Sequence, residues 1–256
     1  MADIAPLSHS QTTERVLALL DGLDWTRARV ADVGAGNGYF SQALGERLRG
    51  QGRDPAAHLS ACDVVPAEFR YAPVACRPIG PDGRLPFDDA SFDAVVSIEV
   101  VEHVENQFAF LRELARIARP GALVVVTTPN TLNANSRLRT LLQGFPLLFD
   151  PLPLDAGDVR HLSGHIHPIG PYFLAVAALR AGLVEPSFHP DRTKTSASMQ
   201  TALLSPLLWL AAAAQRRRLQ RKWPAVYEQN AALLESINGW GMLTCRTTVL
   251  RVRKPL

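Results

Sequence analysis

"VADVGAGNGYF", Val30 to Phe40, is the stretch that decides how this chain folds. Three glycines stand at alternate positions, Gly34, Gly36 and Gly38, with Asp32 two residues ahead of the first. A merely flexible turn has no need of a strand before it and a helix after it. Here "RARVADVG" reads as a short buried strand. "YFSQALGERLRGQG" follows as a helix, with Phe40, Leu44 and Leu48 four apart and Gly50 and Gly52 as its stop. A glycine turn at that junction lets the backbone take positive φ and approach a ligand closely. The helix start beyond it offers free N–H groups.

The same alternation continues outward. Residues 11 to 23 carry Val16, Leu19, Leu20 and Leu23 at helical spacing. "AHLSACDVV" (57–65) reads as a second strand and "SFDAVVSIEV" (91–100) as a third. "NQFAFLRELARIARPG" reads as a helix closed by Pro120-Gly121, and the β-branched run "ALVVVTTPN" (122–130) as the strongest strand. "PYFLAVAALRAGL" reads as a helix, "LVEPSFHP" as a short strand and "LTCRTTVLRVRK" as a last strand. Strands alternating with helices predict an α/β fold, a doubly wound and mostly parallel sheet, in a single domain over 1–256. Two excursions, about 131–167 and 193–240, are too long for ordinary connections and are expected to be lids.

Composition narrows the function classes. With 256 residues, 47% hydrophobic and 20% charged, the chain can bury a sizeable core. A net charge of +3 gives little support to a charge-driven nucleic-acid binder. Cys62, Cys76 and Cys245 form no C-x-x-C pair, which argues for a reducing compartment and against a thiolate zinc site. The first residues carry Asp3 and Glu14 with no basic residue before Arg15, unlike a signal peptide, so the expected location is the cytoplasm.

The glycine spacing is G-x-G-x-G rather than the dinucleotide G-x-G-x-x-G. A second acid, Asp63, ends the next strand, where it can accept hydrogen bonds from a ribose diol. Together they point to an adenosine-type ligand that needs no pyrophosphate cradle. "VADVGAGNGYF", "LPFDDASFDAVVSIEVVEHVEN" and "ELARIARPGALVVVTTPN", covering residues 30 to 130, resemble the successive motifs of class I S-adenosylmethionine-dependent methyltransferases. The resemblance implies a seven-stranded Rossmann-like sheet whose last strand is antiparallel. It implies that Asp32, Gly34, Ala35, Gly36 and Gly38 line the methionine and ribose side of S-adenosylmethionine, and that Asp63 holds the ribose hydroxyls. It places the adenine against "RPIGPDGRLPF", where Gly80, Asp82 and Gly83 are candidates and Asp82 is the acidic one. Ser97, Ile98 and Glu99 would lie near the sulfonium.

"IEVVEHVEN" is the second loaded stretch. If the chain turns helical there, Glu99, Glu102 and His103 share one face. "RHLSGHIHP" brings His161, His165 and His167 into the first lid. Three readings compete. One is a divalent metal site of two carboxylates and imidazole, similar to the cluster of metal-dependent small-RNA 2′-O-methyltransferases and of some ubiquinone-biosynthesis O-methyltransferases. Another is metal-free acid–base chemistry by His103 or His165. The third is a loop-fixing role. Glu102, His103 and His165 are the expected catalytic groups.

The second excursion carries an almost wholly apolar run, Met199 to Ala214, interrupted by Pro206, then Arg216, Arg217, Arg218, Arg221 and Lys222 with no acid among them. It reads as a buried lid helix with a solvated basic tail. Membrane-surface contact through 199–223, a lipid-like substrate and a dimer helix stay open. The expected activity is methyl transfer to a small-molecule acceptor, apolar or glycan-linked, most readily at a hydroxyl oxygen. The alternatives are a metal-dependent RNA 2′-O-methyltransferase and a non-catalytic cofactor-binding subunit.

Overall fold

The computed structural model describes residues 4–155 and 164–256. Seven strands form one sheet: β1 (Val30–Val33), β2 (Leu59–Asp63), β3 (Cys76–Pro78), β4 (Phe92–Ile98), β5 (Ala118–Pro129), β6 (Val184–Pro190) and β7 (Thr247–Arg253). Their order is β3-β2-β1-β4-β5-β7-β6. Neighbours from β3 to β5 are parallel, and β7 runs antiparallel to both β5 and β6. The sheet is therefore doubly wound and mostly parallel, with an antiparallel last strand in its interior.

Period-two alternation explains how the sheet is covered. Along β5, Val124 and Val126 enter one apolar cluster while Leu123 and Val125 enter the other. Helices α1 (Ser10–Leu19) and α2 (Tyr39–Gly50) supply Val16, Leu44 and Leu48 to the second cluster. Helices α4 (Gln107–Ile117) and α6 (Pro171–Arg180) supply Leu111, Leu114 and Leu174 to the first. Among the described residues the remaining α-helices are the short α3 (Pro55–His58), α5 (Ala134–Gln143), α7 (Thr195–Lys222), α8 (Pro224–Ile237) and α9 (Trp240–Thr244).

Several sequence expectations need correction. The second strand does not start at Ala57: Asp54 caps Ala56 N–H, and Pro55 at the first helical position makes a turn of helix up to His58. Strand β3 is missed because three residues show no period, and its Pro78 is tolerated only because β3 is an edge strand. Pro120-Gly121 does not close α4. The helix ends at Ile117, and the chain already pairs with β4 from Ala118 onward. Arg119, standing before a proline, is in any case biased to extended backbone.

The two excursions also differ from expectation. In the first, α5 is capped by Asn133, whose Oδ1 accepts from Ser136 N–H, and ends at left-handed Gly144. Residues 156–163, which include His161, lie outside the described residues. In the second, α7 is one 28-residue helix continuous through Pro206, and it is mostly exposed rather than buried.

Candidate active site

The glycine loop sits at the carboxyl end of β1, stitched to β2. Gly34 and Ala35 N–H both donate to Cys62 O, at 2.9 and 3.1 Å. Gly34 and Gly36 have φ of +73° and +51°, where a side chain is strained. At Gly34 there is also no room: an added Cβ would lie 2.3 Å from Val100 Cγ2. Helix α2 then starts at Tyr39, whose N–H donates to Asn37 Oδ1 at 3.2 Å, while the N-cap Gly38 has no side chain to cap the turn.

Both acids expected here frame the loop. Asp32 is fully buried and accepts from Ser41 Oγ at 2.6 Å. Burial pushes its carboxyl up to about 7, against the opposing Ser41 hydrogen bond. Asp63 is held at both oxygens, Oδ2 by Gly36 N–H and Oδ1 by Val65 N–H, each at 2.8 Å. Each oxygen keeps a second lone pair for a ligand hydroxyl.

A cleft of about 1690 Å³ opens over these strand ends. Asp32, Gly34, Ala35, Gly36, Asp63, Asp82, Ile98, Glu99, His103 and His165 all line it, together with Gly80 and Gly83. Asp82 sits in a tight turn and accepts from Arg84 N–H. Gly38, Ser97 and Glu102 are not among its lining. Gly38 instead packs under Phe69 and Tyr71 at the start of α2, and Ser97 is fully buried within β4. Sequence reading missed Leu7, Ser8, Val64 and Phe110 on the walls. The exposed Val64-Val65 pair directly after Asp63 was the available signal, since it extends an apolar run past the strand end.

The stretch from Glu99 to His103 is a turn rather than a helix, with His103 N–H bonded to Val100 O. Glu99 takes a left-handed φ of +54°, a strained conformation for a residue with a side chain. Its backbone N–H is held by Thr127, and its Oε1 accepts from Thr247 Oγ1 at 3.1 Å. Burial raises its pKa, and the Thr247 hydrogen bond works against the rise.

The turn points Glu102 inward. Its side chain is fully buried; neither oxygen makes a close hydrogen bond, and the nearby Thr128 hydroxyl is the side-chain group that favours its charged form. Burial, aided by the Glu99 charge, pushes the Glu102 carboxyl up to about 8. Its own carbonyl accepts from Ile166 and His167 N–H, which ties the end of the first excursion to the turn. His165 is thereby brought to His103, with ring centroids 4.8 Å apart. His103 Nδ1 bonds Gly164 O at 3.0 Å and His165 Nδ1 bonds Leu148 O at 2.7 Å. A carbonyl can only accept, so both Nδ1 atoms carry a proton, and in the neutral ring of this tautomer the lone pair sits on Nε2. Burial, then the nearby His165, lowers the pKa of His103. Ligand atoms of Glu102, His103 and His165 lie within 4.8 Å of one another, whereas Glu99 stands outside that set. His167 Nδ1 bonds Val104 O, which fastens the end of the first excursion to the same turn.

Residues 31–126 match the methyltransferase domain family, in the segment that builds β1 to β5 and the cleft. Over those residues the chain carries a methyltransferase domain. The chain is 48% identical over 107 residues to a probable S-adenosylmethionine-dependent methyltransferase of Mycobacterium tuberculosis, covering 42% of this chain and 38% of that one. It is 31% identical over 111 residues to a ubiquinone biosynthesis O-methyltransferase of Maricaulis maris, covering 40% of this chain and 41% of that one. The chain thus spans less than half the length of these curated relatives. The methyltransferase domain and both excursions together align to a solved S-adenosylmethionine-dependent methyltransferase of Archaeoglobus fulgidus, with a TM-score of 0.57 over 96% of this chain and 95% of that one, at 14% identity. At that identity the likeness is one of fold.

Proposed function

We propose that the chain is an S-adenosylmethionine-dependent methyltransferase that methylates a hydroxyl oxygen of a small, apolar or glycan-linked acceptor. The observation that carries this reading is the sharing of one cleft by the glycine cradle, Asp63 and the paired histidines. S-adenosylmethionine supplies a methyl group activated by its sulfonium charge. Gly34, Ala35 and Gly36 let the backbone close on the cofactor, with Asp32 behind them. Asp63, pre-set by two backbone N–H groups, accepts the ribose hydroxyls. Asp82, Gly80 and the apolar Val64 and Ile79 flank the adenine side. Ile98 and Glu99 border the reacting end.

The chain's own task is alignment, water exclusion and proton removal. His103 is kept neutral by burial and holds its Nε2 lone pair free, so it takes the proton from the acceptor hydroxyl. His165 steadies it from the lid. Calorimetric titration with S-adenosylmethionine tests the cofactor half: Asp63→Ala should weaken binding at least about tenfold, the loss of a charge-assisted hydrogen bond or two. Unchanged affinity overturns it. A screen of phenols, quinols and sugars with methyl-labelled cofactor tests the acceptor half, and His103→Gln should abolish the label transfer while sparing cofactor binding.

A second reading is favoured by the Glu102, His103 and His165 cluster. A buried glutamate with no close hydrogen bond, beside two imidazoles oriented through their Nδ1 atoms, suits a divalent cation with open positions. Those three residues would hold it, and it would lower the pKa of a bound hydroxyl. Activity that survives exhaustive chelation removes this reading. A rise in melting temperature with added cation, lost in Glu102→Gln, supports it.

A further inference from the structure

Helix α7 leaves its most apolar side uncovered. It packs against α5, α8 and α9, but only Ala197 and Thr201 along it are buried, with Thr201 Oγ1 donating to Leu243 O. Met199, Leu203, Leu207 and Leu210 are all exposed, Leu203 to 80%. Their spacings of four, four and three place them on one stripe of the helix. The same repeat continues through Ala214 to Arg217 and Arg221. One stripe is thus apolar along its first part and cationic along its end. Arg216, Arg218 and Lys222 add to the charge, α7 contains no acid, and none of the five basic side chains forms an ion pair with a described residue. Exposed Trp209 and Trp223 lie on and just past the same helix.

Length and composition alone would let α7 cross a membrane. The connections speak against it. The chain enters α7 from β6 and returns through the 14 residues of α8, about 21 Å of helix, to α9 and β7 of the same sheet. Both ends are therefore tied to one body, and the helix lies along its surface. A second copy of the chain is a poor cover, because five cations without an acid would face a stripe that offers them no counter-charge. A bilayer with anionic headgroups complements both parts at once.

We propose that α7 is a docking surface for an anionic lipid bilayer. Met199, Leu203, Leu207 and Leu210 pass below the headgroups, and Arg216, Arg217, Arg218, Arg221 and Lys222 meet the lipid phosphates. Long arginine side chains reach the phosphates while the helix axis stays at the boundary. The surface does not depend on the methyl-transfer reading, because vesicle binding is read without cofactor or acceptor.

Vesicle flotation of the whole chain tests it, with phosphatidylcholine alone and with an equal mixture of phosphatidylcholine and phosphatidylglycerol. Binding to the mixture is expected, with little to phosphatidylcholine and release by high salt. Arg217→Gln with Arg221→Gln should weaken it about thirtyfold. Leu203→Gln with Leu207→Gln should weaken it at least about tenfold. All four side chains are exposed, so circular dichroism and the melting curve should match the parent, which separates lost docking from lost folding. Absence of binding to either vesicle overturns the proposal, and so does binding that neither pair of substitutions reduces. Light scattering that shows a dimer dissolved by the leucine pair also overturns it, in favour of self-association.

Discussion

At Gly34 two independent constraints meet in one residue. The backbone is left-handed, and the space a side chain would need belongs to Val100. Gly34→Ala is therefore expected to cost about 1–3 kcal/mol of stability from positive φ and overpacking, and to weaken S-adenosylmethionine binding with it. Adding Val100→Ala removes the atom 2.3 Å away but leaves the φ penalty. Thermal melts should show the double variant recovering part of the loss; no recovery would mean that the crowding at Val100 is not what excludes a side chain. The need for glycine was legible in the spacing of the loop, because positive φ is a local property. Its reason was only half legible, since Val100 lies 66 positions away in a different strand-end turn. Glu99 shows the converse. Nothing in "IEVVEH" signals a left-handed glutamate, and helical spacing gave the wrong shared face. The strain is held in place by Thr127 and Thr247 from β5 and β7.

Among the elements, α7 holds a proline in its interior, at Pro206. Proline removes the N–H that would bond Ala202 O four residues back, and interior proline costs roughly 3 kcal/mol. Ser205 Oγ donates to that carbonyl instead, at 2.8 Å, and offsets part of the loss. Pro206→Ala should accordingly raise the stability of α7 by about 1–3 kcal/mol. Amide exchange along 200–210 should slow, and equal exchange rates would contradict the account. The existence of α7 was legible from its composition. Its exposure was not, because an apolar run reads alike whether it is covered by protein or left on the outside. The three-residue β3 was illegible for a different reason. It has no period, and it is a strand only because β2 offers it partners. Helix α4 ended early for a third, since pairing of Ala118 with β4 outweighs further helix.

For the whole molecule, the buried Asp32 makes a statement about pH. Its carboxyl is raised from 3.8 to about 7 by burial, so the folded state holds a proton that the unfolded state has released. The stabilisation from Asp32 is fully present below about pH 4 and is lost as pH rises through about 7. Asp32→Asn keeps an acceptor for Ser41 and cannot titrate. Melting temperatures of parent and variant, measured without ligand, should diverge as pH rises from 4 to 7, with the parent falling relative to the variant. Parallel curves would show that Asp32 stays charged in the fold.

Local pattern determined a great deal here. Period-two and period-3.6 repeats set the order of strands and helices, and the strand–glycine–helix junction set the doubly wound sheet and the end of it where the cleft opens. Asp63 followed from its place at the end of the next strand. What only the tertiary structure decided was which distant residues meet. His165 reaches His103 because the Glu102 carbonyl holds Ile166 and His167, and Glu99 leaves the cluster because Thr247 claims its oxygen. The α7 stripe stays bare because no part of the described fold packs over it. Each of these depends on contacts between residues far apart in the chain, whose partners no local repeat can name.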